Sequence, residues 1–178
     1  AKFDVGYIDG FYDKLFAIKQ DLHLHILEIG VDEGKSLRLW RDYFRYGLVF
    51  GIDINDLSFL NNEDRIIPIG LTDAYKQRTI DRLKFISPNG FDIIIDDGPH
   101  DLKSMMYFLI HYQNLLKPGG ILVLEDIIDI RYISNLTDCL DETKGTITVL
   151  NMYDKIKNDT YKNLCKEKLE VIIYKKDK

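Results

Sequence analysis

The chain has 178 residues, a formal net charge of −5 and a hydrophobic content of 46%, which suit a single domain with its own core. No block of Lys or Arg is long enough to follow a phosphate backbone, and no apolar run approaches the roughly 20 residues that span a bilayer, so nucleic-acid binding and a membrane span are disfavoured. Cys139 and Cys165 have no metal-ligand spacing and predict packing roles in a reducing compartment, so we expect a cytoplasmic protein.

Hydrophobic periodicity predicts helices and strands that alternate along the chain. Helices are predicted at residues 9–20, 35–45, 73–86, 102–116 and near 132–142, and strands at 25–29, 48–53, 65–69, 92–96, 121–125 and near 146–151 and 167–174. Thr72 and Asp101 precede two of these helices and are predicted to cap them. The last two strands are too close in sequence for an ordinary helical crossover, so we expect them to pair antiparallel. This order predicts an α/β fold with a doubly wound, mostly parallel, seven-stranded Rossmann-like sheet and a C-terminal antiparallel hairpin.

Two glycines, Gly30 and Gly34, lie in the turn between the first strand and the following helix. Glycine suits such a turn because the backbone bends sharply and must approach a ligand closely. The pattern differs from that of a dinucleotide site, since Asp32 stands between the glycines and, with Glu33, would repel a pyrophosphate. A nicotinamide dehydrogenase is therefore disfavoured. A cofactor with a positive centre and an amino-acid end suits this loop better, and S-adenosylmethionine has both.

Polar residues also follow the second and third strands, at the same edge of the predicted sheet. Asp53 lies nineteen residues after Gly34, where a carboxylate can accept hydrogen bonds from both ribose hydroxyls. Ile54 could press on the adenine face, and Thr72 and Asp73 are placed to border adenine. The alternative is that Asp53 only begins a turn and the glycines only shape a loop. The occurrence of all these groups in strand order favours a cofactor site.

A second set of polar residues follows the fourth and fifth strands: Asp96, Asp97, His100, Glu125 and Asp126. Four carboxylates at neighbouring strand ends would repel one another unless a hard divalent cation relieved the repulsion. We expect Asp97, Glu125 and Asp126 to bind Mg²⁺, or else Mn²⁺ or Ca²⁺. Asp96 would face the cofactor side instead, because adjacent residues at a strand end point in opposite directions.

His100 is the candidate general base of this set. A metal that holds two substrate hydroxyls lowers the pKa of one of them. An imidazole titrates near neutral pH, so His100 could take the proton, and the resulting alkoxide would attack the cofactor's methyl group in line. The alternative for His100 is a loop residue that is only hydrogen-bonded to a carboxylate. Glu125 and Asp126 could cap the next turn, a role that is compatible with metal binding.

Several motifs together resemble the class I methyltransferase core. These are Leu27-Glu28-Ile29-Gly30-Val31 with Gly34, Ser36-Leu37, Trp40-x-x-Tyr43-Phe44 and Gly51-Ile52-Asp53. Three further motifs are Asp96-Asp97-Gly98-Pro99-His100, Leu116-Lys117-Pro118-Gly119-Gly120 and Glu125-Asp126. They resemble, more narrowly, the metal-dependent sugar O-methyltransferases of the macrocin and mycinamicin type, in the cephalosporin-hydroxylase-like group. Upstream, Asp4-x-Gly6-Tyr7 and Tyr12 resemble the short opening segment of that family.

The resemblance assigns roles to residues of this chain. It implies that S-adenosylmethionine is bordered by seven residues: Glu28, Gly30, Ser36, Asp53, Thr72, Asp73 and Asp96. It implies that Asp97, Glu125 and Asp126 hold the metal, and that His100 is the general base, with Asp97 beside it in the catalytic group. The cofactor roles of Glu28 and Ser36 are implied by the resemblance alone, whereas the other residues carry roles that their chemistry also indicates.

We therefore expect an S-adenosylmethionine-dependent, divalent-metal-dependent O-methyltransferase that acts on a sugar hydroxyl of a glycan or glycoside, for example a deoxyhexose such as rhamnose. Two alternatives stay open: methylation of a small catechol-like phenolic diol, and a non-catalytic cofactor-binding partner subunit. Because the chain starts at Ala1 rather than Met, residues 1–178 could be one domain of a longer polypeptide that also carries glycosyltransferase domains. Oligomer formation also stays open.

Overall fold

The computed structural model describes residues 7–156, residue 162 and residues 169–178. The strands are β1 (His25–Ile29), β2 (Leu48–Ile52), β3 (Ile66–Ile69), β4 (Phe91–Asp96), β5 (Leu116–Ile127), β6 (Gly145–Asn151) and β7 (Glu170–Lys176). β5 begins earlier than predicted, because Leu116 already pairs with Phe91 before a register shift in the ladder. Cys165 and residues 167–168, together with Asp4 and Gly6 of the opening motif, lie outside the described residues.

The strands form one sheet in the order β3-β2-β1-β4-β5-β7-β6. β1 to β5 run parallel, and β7 pairs antiparallel with both β5 and β6. The predicted mostly parallel, seven-stranded sheet with antiparallel C-terminal strands is confirmed. The chain moves outward from β1 to β2 and β3 and then returns to place β4 on the other side of β1. Open α/β sheets bind ligands at such a reversal, in the crevice outside the carboxyl ends of the strands.

The helices are α1 (Asp13–Phe16), α2 (Lys35–Tyr43), α3 (Gln77–Ile86), α4 (Leu102–Tyr112) and α5 (Tyr132–Thr137). A π-helical turn at Ile8–Tyr12 precedes α1 and a 3₁₀ turn at Ala17–Lys19 follows it, so residues 8–19 are continuously helical. We call residues 7–19 the N-terminal segment. No helix in the described ranges is long and apolar enough to cross a membrane.

Apolar side chains cover both faces of the sheet, as the consecutive isoleucines of β4 predict. On one face, Phe11 and Phe16 of the N-terminal segment pack with Trp40 of α2. On the other face, α4 contributes Phe108 to a second cluster. Ile18 is 90% exposed, because it lies in the 3₁₀ turn, whose tighter winding rotates it away from the apolar face of the segment.

One of the two predicted helix caps is confirmed and the other is wrong. Asp101 caps α4, since its carboxylate accepts a 3.0 Å hydrogen bond from the Ser104 N–H. Thr72 does not cap α3, which begins only at Gln77; the Thr72 hydroxyl donates instead to the Gly70 carbonyl at 2.9 Å. The Asp73 carboxylate accepts the Tyr75 N–H at 2.9 Å, and this local turn competes with the helix and delays its start. The loop after β3 therefore stays beside the crevice.

Candidate active site

A cavity of about 940 Å³ opens at the carboxyl ends of β1, β2 and β4, and its volume is typical of a small-molecule site. The predicted cofactor residues that line it are Gly30, Ser36, Asp53, Ile54, Thr72 and Asp73. Asp97 lines it as well. Residues that the sequence did not single out for this role also contribute, among them Leu39, Asn55, Ala74 and Tyr75. The cavity therefore occupies the crevice that the strand order predicts.

Gly30 brings the loop after β1 into direct contact with the loop after β4. Its φ is +83°, a left-handed conformation that residues with a Cβ rarely adopt. A Cβ at this position would lie 2.0 Å from the carbonyl oxygen of Asp97, so the approach requires glycine. The Asp97 N–H also donates to the Ile29 carbonyl at 2.9 Å. The two loops consequently form one unit, in which displacement of one displaces the other.

Asp53 organises the first loop from the end of β2. Its Oδ2 accepts hydrogen bonds from the N–H groups of Val31 (2.8 Å) and Asp32 (3.2 Å), and its Oδ1 accepts from the Asn55 N–H (2.8 Å). Burial opposes ionisation of Asp53, but these backbone donors outweigh burial and lower its pKa. A carboxylate has about four acceptor positions, so about one remains for a ligand hydroxyl. A turn-forming role and a ligand-binding role are therefore compatible.

Asp96 does not line the cavity, contrary to the expectation that it faces the cofactor. It is 2% exposed, and its Oδ1 accepts a 2.7 Å hydrogen bond from the hydroxyl of Tyr75, a residue that itself lines the cavity. Tyr75 thus stands where Asp96 was expected. Burial raises the pKa of Asp96 to about 7, although the bond from Tyr75 opposes the rise, and the charge of Asp97 adds to it. The sequence signal for Tyr75 was only its place in the loop after β3.

Glu28 and Gly34 also lie outside the lining of the cavity. Glu28 is completely buried in β1 and faces the side of the sheet where it acts electrostatically on Tyr12. Gly34 is the N-cap residue of α2 and has a φ of +74°. A cofactor-binding role for Glu28 and Gly34 stays a prediction.

Asp97, His100 and Asp126 meet at the ends of β4 and β5, beside the cavity. One ligand atom from each lies within 4.8 Å of the others. The Nε2 atom of His100 is 3.7 Å from Oδ1 of Asp97 and 3.9 Å from Oδ2 of Asp126. His100 and Asp126 both have a φ of +56°, a conformation that costs on the order of 1–3 kcal/mol in a residue with a side chain. The surrounding structure holds both residues in this conformation, a form of strain that is concentrated at functional sites.

The two acidic residues near the end of β5 accept hydrogen bonds from tyrosines of the N-terminal segment. The Tyr12 hydroxyl donates to Oε1 of Glu125, and the Tyr7 hydroxyl donates to Oδ1 of Asp126. Burial raises the pKa of Tyr12 well above its usual value, and the charge of Glu125 adds to this rise, so the phenol stays a donor. The pairs are 113 and 119 residues apart, and no spacing rule could have linked them.

The chemistry of the three-residue group fits a hard divalent cation. Asp97 and Asp126 offer carboxylate oxygens, which Mg²⁺ prefers, and Mg²⁺ commonly keeps several waters as its other ligands. Glu125 is 1% exposed and does not belong to the group of three found among the described residues, so its ligand role stays a prediction. Asp97 belongs both to this group and to the cavity lining. A cation and a ligand in the cavity would therefore be adjacent.

Comparison with known proteins gives concordant matches. A family model described as a methyltransferase domain matches residues 27–127. The 8-demethyl-8-alpha-L-rhamnosyl tetracenomycin-C 2'-O-methyltransferase of Streptomyces olivaceus is 36% identical over 65% of this chain and 32% of its own length. The mycinamicin VI 2''-O-methyltransferase of Micromonospora griseorubida is 34% identical over 65% of this chain and 30% of its own length. The chain thus spans about a third of the length of these curated relatives.

A solved structure is similar over the same part of the chain. It is titled MycE methyltransferase from the mycinamycin biosynthetic pathway in complex with Mg, SAH and mycinamycin VI. It shows 30% sequence identity and a TM-score of 0.58, and the match covers 69% of this chain and 37% of that one.

Proposed function

Because this chain belongs to the methyltransferase domain family, we propose that it transfers a methyl group from S-adenosylmethionine to a sugar hydroxyl with the help of a divalent cation. The proposal rests on one observation: Asp97 lines the cavity and also belongs to the cluster of Asp97, His100 and Asp126, so the cavity and the cluster are in contact. A methyl donor in the cavity and an alcohol at the cluster would meet there. The matched relatives, whose names specify O-methylation of glycosylated natural products, support the same reaction.

Different residues of the cavity are chemically suited to different parts of the cofactor. Asp53 offers its remaining acceptor position to a ribose hydroxyl, and Ile54, which is 69% exposed at the rim, offers an apolar surface to adenine. Asp73 and Thr72 border the same end. The loop from Gly30 to Ser36 receives the amino-acid end, where the negative charge of Asp32 favours a ligand with a positive centre; the charge of Glu33 is compensated by an ion pair with Lys35. S-adenosylmethionine supplies an electrophilic methyl group when it is bound.

The carboxylates of Asp97 and Asp126, with Glu125 beside them, would hold the cation. The expected ion is Mg²⁺, with Mn²⁺ or Ca²⁺ as substitutes. A cation held there supplies the charge that lowers the pKa of a coordinated hydroxyl. His100 would accept the proton of the acceptor hydroxyl, because its Nε2 lies 3.7 Å from a carboxylate oxygen of Asp97 and 3.9 Å from one of Asp126, beside the residues that would hold the cation. Asp97 belongs to both the cluster and the lining of the cavity, and so links the two halves of the site.

A sugar with two adjacent hydroxyls suits this arrangement, because a vicinal pair can chelate one cation. The rhamnosyl substrate named for the Streptomyces olivaceus relative supports a deoxyhexose acceptor here. We also propose that the domain acts in the cytoplasm and that residues 1–178 work as one unit. We further propose glycosyltransferase domains in the same polypeptide as partners of this activity.

Transfer of a labelled methyl group to a panel of rhamnosides and other glycosides tests the proposal. We expect transfer in the presence of Mg²⁺, loss of transfer with EDTA and recovery after addition of excess Mg²⁺. A catechol in the same panel distinguishes the acceptor class. Transfer to the catechol and to no glycoside would contradict the sugar assignment, and transfer that is unchanged by EDTA would contradict the role of the cation.

A further inference from the structure

Two tyrosine hydroxyls reach the acidic pair of β5 from the opposite end of the chain. Tyr7 and Tyr12 both belong to the N-terminal segment and are 1% exposed. Their hydroxyls donate to Asp126 and Glu125, respectively. The proposed chemistry requires neither hydroxyl, because proton transfer and cofactor binding are assigned to other residues. The two contacts therefore call for a separate explanation.

The two carboxylate oxygens of Asp126 face different partners. Oδ1 accepts the hydrogen bond from Tyr7, whereas Oδ2 lies 3.9 Å from Nε2 of His100, on the side of the cluster. Without this bond the aspartate side chain could rotate its carboxylate away from the cluster. The bond to Tyr7 opposes such a rotation, since the rotation would break a hydrogen bond at a largely buried site.

The phenol rings are held in place by aromatic packing. The ring of Tyr7 packs edge-on against Phe11 with centroids 5.4 Å apart, and the ring of Tyr12 packs against Trp40 at 4.8 Å. These contacts belong to the core on one face of the sheet, where Trp40 is completely buried. This packing fixes the positions of the two hydroxyls beside the carboxylates that accept their hydrogen bonds.

We propose that Tyr7 and Tyr12 are positioning residues of the metal site. Tyr7 orients Asp126 so that its Oδ2 faces the cation, and Tyr12 orients the neighbouring Glu125. This inference rests on the proposed function only in requiring that the site binds a divalent cation. It gives the N-terminal segment a role in the chemistry of a site formed by β4 and β5. Hydrogen-bond partners of metal ligands typically contribute about 10- to 100-fold to metal affinity, because they restrict the ligand to its binding orientation.

Calorimetric titration with Mn²⁺ and, separately, with S-adenosylhomocysteine tests the inference on the full chain. Tyr7→Phe keeps the ring and its packing and removes only the hydroxyl. We expect Mn²⁺ to bind about 10- to 100-fold more weakly and S-adenosylhomocysteine to bind as it does to the unchanged protein. In activity assays, a higher Mg²⁺ concentration should restore most of kcat to Tyr7→Phe.

Tyr43→Phe is the matched control. The Tyr43 hydroxyl also donates to an aspartate, Oδ1 of Asp13 in the N-terminal segment, at 2.9 Å, but this pair does not touch the cluster. We expect this variant to bind Mn²⁺ normally. Tyr12→Phe provides a second test of the inference should Tyr7→Phe fail to fold, as judged by the fluorescence of the buried Trp40.

The outcomes separate the two proposals. If the unchanged protein and folded Tyr7→Phe and Tyr12→Phe bind Mn²⁺ equally, the positioning role is wrong and the proposed function is unaffected. If the unchanged protein binds S-adenosylhomocysteine but no divalent cation, the metal-dependent function fails and the positioning role fails with it. If Mn²⁺ binds more weakly to Tyr7→Phe and Tyr12→Phe than to the unchanged protein and to Tyr43→Phe, the result supports both the proposed function and the positioning role.

Discussion

The Tyr75 hydroxyl donates a 2.7 Å hydrogen bond to Oδ1 of Asp96, a carboxyl group that is only 2% exposed and whose pKa is raised to about 7. One residue further on, Asp97 belongs to the cation cluster and lines the cavity. Two adjacent acidic residues on one strand end therefore have opposite environments. Asp96 is a buried structural group near its titration point at neutral pH, and Asp97 is part of the accessible site.

This difference predicts how stability depends on pH. Between about pH 4 and 7 the folded protein keeps the proton on Asp96 while the unfolded chain releases it, so the contribution of Asp96 to stability falls as pH rises, by up to about 1.4 kcal/mol for each pH unit. The contribution is fully present below the unfolded pKa and is lost as pH rises through the folded pKa. Asp96→Asn should remove this slope. Urea unfolding of the metal-free protein at pH 5 and pH 7 measures it.

The control for this experiment is Asp64→Asn, which changes an exposed carboxylate far from the cluster; the side chain of Asp64 is 89% exposed. The control should retain the pH dependence of the unchanged protein. If Asp96→Asn retains it as well, Asp96 does not titrate in the way that its burial indicates.

Gly30→Ala should impair both halves of the site. The new Cβ would lie 2.0 Å from the Asp97 carbonyl oxygen, so the loop after β4 must move together with the loop after β1. We expect calorimetry to show weaker binding of both S-adenosylhomocysteine and Mn²⁺, each by at least about tenfold, which corresponds to about 1.4 kcal/mol.

Gly119→Ala separates this steric effect from backbone strain. Gly119 also has a positive φ, +76°, but its Cβ would meet nothing nearer than Cγ of the flexible Lys178 side chain, at 3.7 Å. This variant should lose stability without losing either ligand. If Gly30→Ala and Gly119→Ala bind both ligands equally well, the two loops are not coupled.

Asp53→Ala should weaken S-adenosylhomocysteine binding for two reasons. It removes the acceptor for a ribose hydroxyl, and it removes the anchor for the N–H groups of Val31 and Asp32. Hydrogen bonds to a charged group contribute about 1.5–3 kcal/mol each, so we expect affinity to fall at least tenfold in calorimetry. Mn²⁺ affinity should change much less, because Asp53 lies outside the cluster. Normal cofactor binding would leave Asp53 with its turn-forming role alone.

His100→Asn should lower kcat by about 10²- to 10⁴-fold, the usual contribution of a general base. Asn is the suitable replacement because it tolerates the positive φ that His100 adopts, so the loop should keep its conformation. Binding of S-adenosylhomocysteine should be unchanged. Turnover close to that of the unchanged protein would show that His100 does not accept the proton.

Most of the fold could be predicted because its signals are local. The apolar runs of β1 and β4, the glycines of the turns and the Asp101 cap each depend on residues within a few positions of one another. The late start of α3 is an error that is also local in origin. The loop after β3 contains Asp73, whose side chain forms a turn with Tyr75 and delays α3. Periodicity alone could not detect this competition.

The sequence by itself determined the alternation of strands and helices and the presence of Asp53, Asp97, His100 and Asp126 at one edge of the sheet, because parallel strands carry their terminal residues to the same edge. Only the tertiary structure decided that Tyr75 covers Asp96 and that Tyr7 holds one oxygen of Asp126 while the other faces His100. Tyr75 and Asp96 are 21 residues apart and Tyr7 and Asp126 are 119 apart, and contacts over such separations leave no periodic trace in the chain. The contact of Tyr7 depends on how the N-terminal segment packs against the completed sheet.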